Sequence, residues 1–145
     1  MADAGLNAVE KVLLAKLQAS TALQNLVGNP IRGYNMLIPT RLSTFPVIVF
    51  QFMSSDFEGR AFSGDAESYD YLVKGVTTGA PTVVTAGDIA EGIDAALHGA
   101  TLAPTGYVSI YAVKRQRWVR YVEQADNREP YMHAGAVYRL WAQRT

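Results

Sequence analysis

Only two side chains in this sequence titrate near neutral pH in their ordinary state, His98 and His133. With Asp126 or Glu129 nearby in sequence, His133 offers an acid/base pair, because a carboxylate would hold the imidazolium and raise its pKa. The strand-like alternation around it argues for a plainer role. Tyr131, His133, Gly135, Val137, Arg139 and Trp141 fall on one face, and Met132, Ala134, Ala136, Tyr138, Leu140 and Ala142 on the other. The second set is the natural core face. His133 then sits on a mixed face, where a hydrogen-bonded or interface role outweighs catalysis. No serine or threonine stands beside it in a recognisable nucleophile motif.

Other chemistries are excluded by spacing. No two of the twelve glycines are two residues apart, so the dinucleotide fingerprint is absent. Glycines five apart occur at Gly28 and Gly33, Gly59 and Gly64, and Gly87 and Gly92, but none leads into the lysine of a phosphate-binding loop. Two histidines and no cysteine leave no thiolate or histidine-rich metal centre. Asp65, Glu67 and Asp70 lack the glycine and terminal glutamate of a calcium loop, and read as a solvated acidic segment. The expectation is therefore no catalytic residues, no cofactor and no metal.

The densest basic stretch is KRQRWVRY at 114–121. Its cations and aromatics offer phosphate contacts and base stacking, the requirements of a single-stranded nucleic-acid module. On a regular strand, Arg115 and Arg117 share one face while Lys114, Gln116, Trp118 and Arg120 share the other, which breaks the stripe. A charged strand or subunit contact is the plainer reading. Thirteen basic and thirteen acidic residues cancel, so no net field draws the whole chain to an anionic partner.

The elements that position these residues follow from periodicity. Apolar residues at Val9, Val12, Leu13, Leu17, Leu23 and Leu26 predict a helix over 7–27, bent near Ser20 and Thr21 and closed by Gly28. FPVIVFQFM at 45–53 is a strand apolar on both faces and so central. The polar run 54–68 reads as a long hairpin loop, and strand alternation resumes at 69–76. Ile89, Ile93, Ala96 and Leu97 predict a second helix over 86–98, capped by Thr85 or Asp88. Two extended runs, 106–124 and 130–143, close the chain as a long C-terminal hairpin with the last strand outermost.

Residues 1–145 are thus read as a single α+β domain: a mixed, mainly antiparallel sheet with two main helices packed on one face. The N-terminus has no basic leader and no apolar run approaches the length of a membrane span, which predicts a soluble protein without a membrane partner. The absence of cysteine fits a reducing cytosol.

The ordered set LQNLVGNPI, FPVIVFQF, YDYLVKGVTTG, AGDIAEGIDAALHGATL and YMHAGAVYRLWA resembles the tail terminator, or tail-completion, proteins of long-tailed phages and prophages. The resemblance spans nearly the whole chain. It implies a non-enzymatic virion protein, made in the host cytoplasm. It would form a hexameric ring at the head-proximal end of the tail, stop the tail tube protein from polymerising, and dock the head–tail connector or stopper. DNA would pass through the channel without being read. The alternatives are another neck component or, from a different class, the nucleic-acid module. Aromatic and arginine residues are enriched at interfaces, which marks Phe57, Arg60 and Phe62 in the 54–68 segment and Arg115, Arg117 and Trp118 near the C-terminal hairpin as candidate subunit or tail-tube contacts.

Overall fold

The computed structural model describes residues 5–35, 45–61, 64–78, 85–102, 107–109, 112–124 and 130–144. It is α+β, as the periodicities predict. The order is α1 (Gly5–Gln18), α2 (Thr21–Val27), β1 (Gly33–Asn35), β2 (Val47–Ala61), β3 (Gly64–Thr78), α3 (Ala86–Leu97), β4 (Tyr107–Ser109), β5 (Lys114–Glu123) and β6 (Tyr131–Arg144).

The first predicted helix is two. Ser20 adopts an extended backbone and its hydroxyl accepts from Leu23 N, so the expected bend is an N-cap that starts α2. Gly28 ends α2 at φ 101°, a conformation that favours glycine. The side chain of Gln18 clamps the return of the chain, donating to Ile31 O and accepting from Ile31 N. Thr85 and Asp88 form a reciprocal capping box at the start of α3.

The sheet runs β1-β2-β3-β6-β4, with β5 beside β4 on the same side of β6. The β1–β2 pair is parallel; the other pairs are antiparallel. Two expectations fail here. β6 is an interior strand rather than the outer half of a hairpin, since β3 pairs with one side of it and β4 and β5 with the other. Its small apolar residues suit an interior position, and the charged β5 takes the margin. The 54–68 segment is not a loop: β2 and β3 pair through it as far as Ala61 and Gly64, with bulges after Phe52 and Phe57. Its polarity reflects an extended ladder whose backbone bonds need no apolar burial.

All three helices join one core with the strand face bearing Ile48, Phe50, Tyr71, Val73, Ala136, Tyr138 and Leu140. Leu13, Leu17, Leu23, Ile89, Ile93 and Leu97 are fully buried there. Each contributes about 1.5–3 kcal/mol relative to exposure. The core closes tightly over Gly75, where a Cβ would fall 2.5 Å from Ile89 of α3. Gly75→Ala should therefore push α3 from β3 and lower the unfolding free energy by about 1–3 kcal/mol, measured by urea denaturation.

Candidate assembly surface

On the helix face of the sheet, two buried tyrosines reach across the core to helix carboxylates. Tyr71 of β3 donates its hydroxyl to Glu10 of α1 at 3.1 Å, and Tyr138 of β6 donates to Asp94 Oδ1 of α3 at 3.0 Å. Burial, reinforced by the carboxylates, pushes both phenol pKa values far upward. The hydroxyls stay protonated donors. Asp94 has a second partner, Arg115 of β5, whose Nη1 lies 2.8 Å from Oδ2. The start of β5 is further held by His98, whose Nδ1 accepts from Arg115 N at 3.1 Å, and by backbone bonds linking Gly99 and Ala100 with Val113.

The placement of Arg115 departs from the expected alternation. A register shift between Arg115 and Arg117 leaves Gln116 bulged out, so Arg115 opposes Tyr138 while Arg117 opposes Val137. Arg115 and Arg117 consequently lie on opposite faces. Arg115 joins Trp118 and Arg120 on the helix side, and its guanidinium sits 4.4 Å from the Trp118 ring centroid. Trp118, Arg120, Gly87, Ala90, Glu91 and Ala134 border a cleft of about 220 Å³ between α3 and β5.

The opposite face combines a small apolar cluster, Val47, Val49 and Val76 with Phe45 and Tyr131 packed against it, with paired polar groups. Arg139 holds Asp70 across the β3–β6 ladder with two bonds, Nε to Oδ1 at 2.8 Å and Nη2 to Oδ2 at 3.0 Å. Lys74 of β3 passes over β6 to donate to the Tyr121 hydroxyl on β5. The crossing requires Gly135, where a Cβ would collide with the carbonyl of Val73 and the backbone of Lys74. Tyr121 stacks on His133, centroids 4.3 Å apart and rings 10° from parallel.

His133 is only 4% exposed, and its Nε2 lies 2.9 Å from Glu123 Oε2. Its carboxylate partner is thus Glu123; Asp126 and Glu129 lie outside the described residues. With Nε2–H donating to Glu123, Nδ1 is left buried without a partner. Burial, joined by the charge of Lys74, lowers the His133 pKa against the opposing pull of Glu123. That reverses the expected rise. A neutral, stacked imidazole at this depth orients strands and reaches no solvent-borne substrate.

Of the six sequence-marked residues, Arg115 and Trp118 meet each other and Arg117 lies on the far face of the same strand. The backbone of Phe57 and Arg60 belongs to β2, and Phe62 lies outside the described residues. Asp94, His98, Lys74, Tyr121 and Glu123 were not singled out as sites. Their partners come from distant segments, and no local spacing marks them. Among the described residues, no group of three or more His, Asp or Glu side chains could hold a metal, and no helix is long and apolar enough to cross a membrane.

Comparison with known proteins agrees with this architecture. A family model described as "Tail completion protein gp17" matches residues 11–139. No curated protein matches by sequence. Among solved structures, a chain from "Virion of native gene transfer agent (GTA) particle" superposes with a TM-score of 0.71 at 19% identity, over 97% of this chain and 98% of that one.

Two outcomes test this surface. Asp94→Ala strands the buried Tyr138 hydroxyl and frees Arg115, and should cost about 1–3 kcal/mol for the hydroxyl alone, whereas Tyr138→Phe, which removes the donor, should cost about 1 kcal/mol; chemical denaturation measures both. For His133, the folded pKa lies below the ordinary 6.5, so the unfolded chain binds the extra proton first. Stability from this group is present above about pH 6.5 and declines as pH falls from there toward the folded pKa. Denaturation midpoints measured between pH 7.5 and 5 should fall in the unaltered chain and fall less in His133→Gln.

Proposed function

Because the chain belongs to the tail completion protein gp17 family, structural proteins of phage tails, we propose that it forms a ring, hexameric in its finished state, at the head-proximal end of the tail tube. There it stops the tube protein from adding further subunits and offers the docking surface for the head connector. DNA crosses the ring's channel without sequence readout. The protein acts by binding rather than by catalysis.

The observation that carries the reading is the family match across most of the chain, joined by a fold whose exposed features are suited to contact. Trp118 is 51% exposed, Val122 54% and Tyr121 41%, all on the marginal strand β5. Of these, tryptophan and tyrosine are the types that contribute most of the energy at protein interfaces when a partner desolvates them, and Val122 adds apolar area. Lys114, Arg117 and Arg120 stand beside them with no ion-pair partner among the described residues. The candidate contacts remain Arg115, Arg117 and Trp118 on β5, Phe57 and Arg60 on β2, and Phe62, which lies outside the described residues. Of these, Arg115 acts by holding Trp118 in place.

Particles assembled without this chain should carry overlong or unjoined tails by electron microscopy, alongside intact filled heads. Filled heads that leak DNA would instead indicate a stopper. Trp118→Ala should yield a folded protein that joins tails poorly, scored as joined particles per head.

A further inference from the structure

The sheet has two marginal strands with unpaired outer edges among the described residues. One is β5, ten residues long, which pairs only with β6. The other is β2 beyond Phe50, where β1 ends and residues 51–61 have a partner only in β3. The two stretches are of similar length and lie at opposite sides of the sheet.

Their charges are opposite. β5 carries Lys114, Arg117 and Arg120 with no ion-pair partner among the described residues, Arg115 already neutralised by Asp94, and one carboxylate, Glu123, which His133 engages, so it remains net basic. The part of the β2–β3 pair within residues 51–68 carries Asp56, Glu58, Asp65 and Glu67 against Arg60; further along β3, Asp70 is paired with Arg139 and Lys74 donates to Tyr121. Like edges therefore repel and unlike edges attract, which disfavours a two-fold pairing of β5 with itself.

Proteins that must keep an edge single shorten it, place proline or charged residues in it, or bulge it; both stretches carry charges and bulges, which disfavour indiscriminate pairing but not pairing with a strand of opposite charge. β5 bulges once, at Gln116, and then continues unbroken through 117–123 with Trp118, Tyr121 and Val122 exposed. That stretch is competent to extend a ladder. The geometry points to β-augmentation between copies of this chain, in which β5 of one subunit pairs along the outer edge of residues 51–61 of the next. Main-chain hydrogen bonds supply affinity and the opposite charges supply choice of partner. The two patches differ, so the contact is head-to-tail, the type that generates rings when its rotation closes. This inference rests on the ring reading and names the surfaces that make it.

Charge reversal with rescue tests it. One variant combines Arg117→Glu with Arg120→Glu, a second combines Asp56→Arg with Glu58→Arg, and a third carries all four changes. Folding is verified by circular dichroism, and assembly is read by light scattering and electron microscopy, both for the free protein and on finished tails. Each two-site variant should self-associate about tenfold more weakly or worse, and the four-site variant should recover. Hydrogen exchange gives a separate readout: amides of 117–123 should slow in the ring relative to the monomer. Rings that survive both reversals, reversals without rescue, or amides that exchange equally fast in ring and monomer overturn the edge pairing and leave the ring reading intact. An unaltered chain that stays monomeric both alone and on tails overturns the two together.

Discussion

The carboxylate of Asp94 is the point on which the candidate surface depends. One oxygen accepts from Tyr138 at the middle of β6 and the other from Arg115 at the start of β5. A single side chain near the end of α3 thereby fixes the helix against an interior strand and sets where the marginal strand enters. His98 and the backbone bonds from Gly99 and Ala100 to Val113 add to the same junction. These contacts lie within two turns of one another. Arg115, once held, covers one face of Trp118, so the orientation of an exposed aromatic is decided by a partly buried acid on another element.

The sheet's two faces are stabilised by different means. Toward the helices, apolar burial dominates, and the two tyrosines enter the core only because each hydroxyl finds a carboxylate on the far side. On the other face, the charged groups pair across strands. Lys74 is 8% exposed and His133 4%, low values for such residues on a sheet face that none of the described helices covers. Their pairings link β3, β6 and β5 in turn, so the face resists shear between strands even where it buries little apolar area. The omission of a side chain at Gly135 permits the longest of these links.

Much of this was legible in the sequence because period and composition agreed. The apolar spacing of the helices, the caps at Thr85 and Gly28, and the core face of β6 all follow from local pattern, whereas Ser20 showed only as a bend and not as the cap that divides α1 from α2. The 54–68 segment misled because polar residues with two glycines look alike in a loop and in a hairpin whose ladder is held by backbone bonds. The marginal place of β5 was misread for a different reason: neighbours in sequence fix which strands pair, but not which of the two faces a third strand. Asp94 was hidden because its partners are 21 and 44 residues away. The pKa of His133 went opposite to expectation because burial, invisible in spacing, outweighed the carboxylate that was foreseen in kind but not in position.

The bulge at Gln116 shows how one residue of register decides what a basic segment can do. In a regular strand, Arg115 and Arg117 would point together and Arg115 would miss Asp94. The shift turns Arg115 toward α3, where it serves the fold, and leaves Arg117 on the opposite face from Arg120. A nucleic-acid groove needs cations in a continuous track beside aromatic faces open for stacking. Here the track is split between two faces, and one face of Trp118, the most exposed aromatic among the described residues, is occupied by the chain's own guanidinium. What is left is a strand edge with separated cations and large side chains along it, a pattern that a protein strand of opposite charge fits better than a phosphate backbone does.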